Sequence, residues 1–238
     1  MNLSAHYDAM RQDAVRRLAR NDAELDSLLN SLQDNRRGIT LLARPPAPIT
    51  ARIEEMLADF RRSEPDQYYY PASDIHVTIL SIISCYPGFT LDLIEPAAYQ
   101  DAVRNIVQTT APFTVSYAGL TASPGSVIVQ GFPVGNGLDD LRTATRSVFR
   151  NSGLQQSIDQ RYRIQTAHST VVRFRHPLQN PALLLKKLAK YQAYFIGSFA
   201  VDAVELVYHD WYQRARNTQL LEKFPVGNFS FPSSASIP

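Results

Sequence analysis

The run Asp74-Ile75-His76-Val77-Thr78-Ile79-Leu80, continued by Ser81, Ile82 and Ile83, is the most strand-like stretch of the chain. Its β-branched and apolar residues favour extended backbone. In an extended chain, residues two apart point to the same face. His76 and Thr78 therefore project together, while Val77 points away. The pattern returns in Ala167-His168-Ser169-Thr170-Val171-Val172-Arg173-Phe174, where His168 and Thr170 are the matched pair.

Around these runs strands and helices alternate. Residues 39–43 form a short apolar strand. Pro48 suits the first turn of a helix striped by Ile49, Ile53, Met56, Leu57 and Phe60, which Pro65 stops. Strand 75–83 and helix 96–107 complete a first series. A second begins with strands 113–117 and 126–132 around the turn Ser123-Pro124-Gly125. It continues with helix 138–149, striped by Leu138, Leu141, Thr145 and Val148, then strand 168–174, then a helix opened by Asn180-Pro181. Residues 199–208 and 213–221 read as a closing pair of strands. Each series carries one histidine strand, a weak sign of internal duplication because such alternation is common.

Residues 1–37 read as an N-terminal helical extension, a packing element or lid. Met10, Ala14 and Leu18 form one stripe, and Leu25, Leu28, Leu29 and Leu32 a second; Asn21 with Glu24 has the form of a capping box. Two helices or one kinked helix are expected there. A two-lobed domain follows over 38–224. The stretch 225–238, rich in Ser and Pro beyond Phe229, reads as a disordered tail.

Composition sets outer bounds. The 238 residues are 45% hydrophobic and 19% charged, which suits a globular protein. A formal charge of +2 gives no argument for duplex DNA or an anionic membrane. The single cysteine, Cys85, allows no internal disulfide, and its apolar setting reads as a buried, inert thiol. No signal-peptide pattern and no membrane-length apolar run is present, so a cytoplasmic location is expected.

One His-x-Thr means little; two in matching places mean more. Histidine titrates near neutrality, so one imidazole can accept a proton while the other delivers one. The hydroxyls of Thr78 and Thr170 suit charge developing on phosphorus-bound oxygens. His76, Thr78, His168 and Thr170 are the candidate catalytic residues. No cofactor is called for, and His6 and His176 lack ligand-like spacing, so no metal site is expected.

The sequence resembles the 2H phosphoesterase superfamily, which includes 2′,3′-cyclic phosphodiesterases and the so-called 2′-5′ RNA ligase proteins. Ile75-His76-Val77-Thr78-Ile79-Leu80 and His168-Ser169-Thr170-Val171-Val172-Arg173-Phe174 carry the resemblance, which extends over roughly 38–222. It implies an α+β, bilobal fold, with pseudo-duplicated antiparallel sheets facing a central cleft and helices outside. It also implies a metal-independent phosphodiesterase acting on a small nucleotide or short RNA. The N-terminal arm and the tail depart from it.

Other residues are weighed beside the motifs. Tyr70, Tyr208 and Trp211 are candidate substrate-binding aromatics, since a ring can stack on a base; packing on the core is the competing role for Tyr70. Alternation cannot put Tyr208 and His209 on one face. Arg173 and Arg175 fall opposite His168 in a regular strand, so a phosphate role for them needs a bulge. Gly131 permits either close backbone approach or a strand-end turn. Two other functions stay open: a sugar mutarotase using the same histidines, and a silent nucleotide-binding module.

Overall fold

A computed structural model describes residues 2–227. Its first lobe is built from β1 (Arg36–Ala43), α2 (Ala47–Arg61), β3 (Val77–Pro87) and α3 (Pro96–Val107), with the two-residue β2 (Tyr68–Tyr69) on the way. Its second lobe repeats the order with β5 (Ser126–Val134), α4 (Gly137–Asn151), β6 (Ser169–Arg173) and α5 (Pro181–Lys190). In each lobe the histidine strand pairs antiparallel with the strand before its helix, β3 with β1 and β6 with β5. The remaining strands are β4 (Phe113–Ser123), β7 (Phe195–Val201), β8 (Ala203–Asp210) and β9 (Gln219–Pro225).

They complete two antiparallel sheets, β3-β1-β8-β9 and β2-β6-β5-β4-β7. The fold is α+β with two sheets, and one apolar core runs through both lobes. Among the described residues no helix is long and apolar enough to cross a membrane.

Several expected elements are redrawn. Only one helix, α1 (Leu3–Leu18), precedes β1. Asn21 takes a left-handed conformation (φ 55°), and Glu24 pairs with Arg17 at 2.6 Å instead of closing a capping box. The following leucines form turns because no surface receives a second helix. Leu29 is buried, but Leu25 and Leu28 are each 43% exposed and Leu32 is fully exposed.

The run 199–208 divides at Asp202, where the chain leaves the second sheet for the first. The last strand starts at Gln219 rather than 213, because the buried Asp210 carboxylate holds the intervening turn. It accepts from the Tyr212 and Arg214 amides (both 3.1 Å), and from Arg214 Nε and Asn217 Nδ2. On α4 the buried stripe is rotated from the expected one: Arg142 and Arg146 are buried, whereas Val148 is 37% exposed.

The α1 helix packs on β4, and its Ala14 and Leu18 join the common core. Its Tyr7 hydroxyl donates to the Gly131 carbonyl (3.1 Å) and accepts from the Gly131 amide (3.2 Å). Gly131 is a close-approach glycine: a Cβ there would lie 1.9 Å from the carbonyl oxygen of Ala167, the residue before His168.

Candidate active site

Both histidines sit where their strands begin. His76 follows a 3₁₀ turn, 72–74, and precedes β3; His168 immediately precedes β6. The two His/Thr pairs come from opposite sheets, and all four side chains line one cavity of about 220 Å³.

The strands reach this cavity through matched irregularities. Across β1 and β3, Leu41 faces Leu80 but Leu42 faces Thr78, so Ile79 is an extra residue. Across β5 and β6, Val127 faces Val172 but Ile128 faces Thr170, so Val171 is an extra residue. A bulge puts two residues opposite one and resets the alternation beyond it. Ser81 and Arg173 therefore return to the faces of Thr78 and Thr170, and both line the cavity. The bulge that Arg173 requires is present.

Each imidazole has a fixed partner. His76 Nδ1 lies 2.7 Å from the Asp74 carbonyl. A carbonyl only accepts, so Nδ1 carries the proton and neutral His76 keeps its lone pair on Nε2. His168 Nδ1 lies 2.6 Å from the Thr166 hydroxyl, which can donate or accept. Burial by the cavity walls pushes His76 down to about 3 and His168 down to about 4. The Asp74 carbonyl opposes the shift at His76, whereas the Arg142 charge adds to it at His168.

Arg142 is a site residue that the sequence did not disclose. It is 1% exposed and has no ion pair among the described residues. Its Nε donates to the Ile79 carbonyl (2.8 Å), and its Nη2 to the carbonyls of Thr78 (3.0 Å) and Thr166 (2.7 Å). One guanidinium thus ties the first motif, at its bulge, to the approach of the second. Its remaining nitrogen, Nη1, has no hydrogen-bond partner among the described residues. Burial pushes its pKa down to about 10, so it remains a cation at neutral pH. The available signal was an arginine one residue from Leu141 on the apolar stripe of α4.

The aromatic candidates separate. Tyr70 lines the cavity but is buried, and its hydroxyl accepts from Arg173 Nε (2.8 Å), so it orients that arginine instead of offering a free face. Trp211 lines the cavity half-buried, with Arg36 and Arg161 packed on its ring at 4.4 and 4.2 Å from the centroid. Tyr208 is not brought in: it packs on Phe89 and donates to that residue's carbonyl (3.1 Å), because alternation on β8 turns it away. The same alternation turns His209 toward the cavity. Its Nδ1–H donates to the Asp210 carbonyl (2.6 Å), its Nε2 accepts from the Thr40 hydroxyl (2.8 Å), and burial lowers its pKa to about 4. Cys85 lines the same wall, and burial raises its thiol to about 12, which suits an inert thiol. Among the described residues no group of three or more His, Cys, Asp or Glu is arranged to hold a metal ion.

Solved structures with this arrangement of elements are known. TT0787 of Thermus thermophilus superimposes with a TM-score of 0.59 at 16% identity, over 79% of this chain and 97% of that one. E. coli LigT complexed with 3′-AMP gives 0.53 at 15%, over 81% and 99%. The chain has a LigT-like fold. A further structure, described as a phosphoesterase, matches with a TM-score of 0.52 at 16% identity, over 81% of this chain and 99% of that one. No protein-family model and no curated protein matches the sequence. These structures cover about four-fifths of the chain.

Proposed function

We propose that this chain is a 2H phosphoesterase that cleaves a phosphodiester in a small nucleotide or short RNA without a metal ion. The observation that carries this reading is the meeting of His76, Thr78, His168 and Thr170 in one cavity, supplied by two sheets. One imidazole accepts a proton from the attacking water or hydroxyl through Nε2. The other, as imidazolium, delivers a proton to the leaving oxygen. The hydroxyls of Thr78 and Thr170 donate to the non-bridging oxygens, and Arg173 faces the same charge. Buried Arg142, which makes no ion pair among the described residues, adds positive potential.

Arg173 in the cavity favours an anionic substrate over a neutral sugar, which separates this reading from a mutarotase. The test is product analysis after incubation with 2′,3′-cyclic mononucleotides, 2′-5′ dinucleotides and cyclic dinucleotides, with and without EDTA. Cleavage of at least one class at an undiminished rate in EDTA is expected. Loss of activity in EDTA with rescue by one divalent ion would overturn metal independence, and cleavage of none would overturn the phosphodiesterase.

A further inference from the structure

The cavity that holds the histidines is also lined by an arginine whose charge has no carboxylate partner among the described residues. Residues 152–168, between α4 and β6, run along its mouth outside any helix or strand. The segment is tied to β3 where the Ser157 amide donates to the Ile82 carbonyl (2.9 Å) and the Ser84 amide donates to Ser157 Oγ (2.7 Å). Its one carboxylate, Asp159, is held by Arg146 and Arg150, both at 2.9 Å. Arg161 is thereby left exposed, without a carboxylate among the described residues, its guanidinium 4.2 Å above the Trp211 ring.

The other arginine on that ring differs. Arg36 makes two 2.8 Å bonds to Asp34, so its charge is already answered. Stacking on an aromatic face orients a guanidinium while leaving its in-plane N–H groups free for bidentate contact with phosphate.

We infer that Arg161, held on Trp211, binds a second phosphate of the substrate, beyond the one at His76 and His168. The preferred substrate is then a nucleotide with two separate phosphate groups or a short oligonucleotide, not a mononucleotide with a single cyclic phosphate. This inference rests on the phosphodiesterase reading of the cleft.

Trp211 is the only tryptophan of the chain, so its fluorescence reports this subsite without turnover. The full chain is titrated with adenosine 3′-monophosphate and with adenosine 3′,5′-bisphosphate. The bisphosphate is expected to bind roughly 10-fold tighter or more, the size of one charge-assisted contact. Arg161→Ala should bring the two affinities together, and Arg161→Lys, which keeps charge but loses the fork, should restore only part of the gap. Equal affinities in the unsubstituted protein, or an undiminished preference in Arg161→Ala, would overturn the subsite. If the monophosphate binds and phosphodiesters are cleaved, such a result leaves the reading of the cleft standing. Binding of neither ligand, with no cleavage of any diester, removes both.

Discussion

The side-chain hydroxyl of Ser169 donates a hydrogen bond to the backbone carbonyl of His76. The middle residue of the second motif, pointing away from its own histidine, thus holds the histidine of the first. Ser169 is also hydrogen-bonded to the buried Tyr117 hydroxyl. Ser169→Ala removes the link and strands that hydroxyl, which should cost about 1–3 kcal/mol of stability. Urea unfolding measures the loss, and kcat is expected to fall more than KM changes.

His76→Ala and His168→Ala should each lower kcat by roughly 10²–10⁴-fold. The double variant should lose much less than the product, because the pair acts as a unit. Thr78→Val and Thr170→Val delete a donor with little change of shape and should cost less than either histidine. A p-nitrophenyl ester, whose leaving group needs little protonation, should rescue only the variant that lacks the acid. Near-normal turnover of an ordinary ester by either alanine variant would remove that histidine from the mechanism.

The active form must hold one proton between two imidazoles. In the free protein these titrate at about 3 and about 4, so that form declines as pH rises above about 4. A bound phosphate anion favours imidazolium and raises the acid's pKa. The alkaline limb of kcat/KM should therefore lie at lower pH than that of kcat. Stability moves in the opposite sense. Half-buried His76 and His168 and buried His209 are neutral in the folded chain, whereas the unfolded chain protonates below ~6.5. Stability is full above that value and is lost as pH falls from ~6.5 toward 4, which Tm measured across that range will show.

Arg142 separates position from charge. Arg142→Lys keeps a cation but cannot reach three carbonyls on two segments, so kcat should drop by about 10-fold or more while the pH profile stays in place. Arg142→Met leaves the burial of His168 in place but removes the charge that adds to its depression, so the alkaline limb of kcat/KM should move to higher pH. An unmoved limb in Arg142→Met, in a variant shown to be folded, would limit Arg142 to packing.

The His/Thr pairs were legible because both are local: two residues apart on extended backbone is a rule of one strand. Arg173 was not, because its face depends on Val171 having no partner on β5, a fact about pairing. Arg142 escaped for a related reason. A helix stripe reads arginine as solvent-facing, and only the convergence of Thr78, Ile79 and Thr166 carbonyls gives that cation a buried place. The 20–37 segment misled in the other direction: its leucines had helical spacing, but of the four only Leu29 has a surface to cover. Trp211 was recognised by type alone; Tyr208, named on the same ground, is turned out of the cavity by the alternation of β8.

The bulges at Ile79 and Val171 bear on how distant relatives should be aligned. Removing one residue from an evenly paired stretch of either strand turns every later side chain to the opposite face. Removing the extra residue of a bulge leaves those faces unchanged and only straightens the strand. Gaps of one residue are therefore tolerable at these two positions and ruinous in an evenly paired stretch. At about 15% identity, where letters alone cannot place a gap, the unpaired residue shows where it belongs.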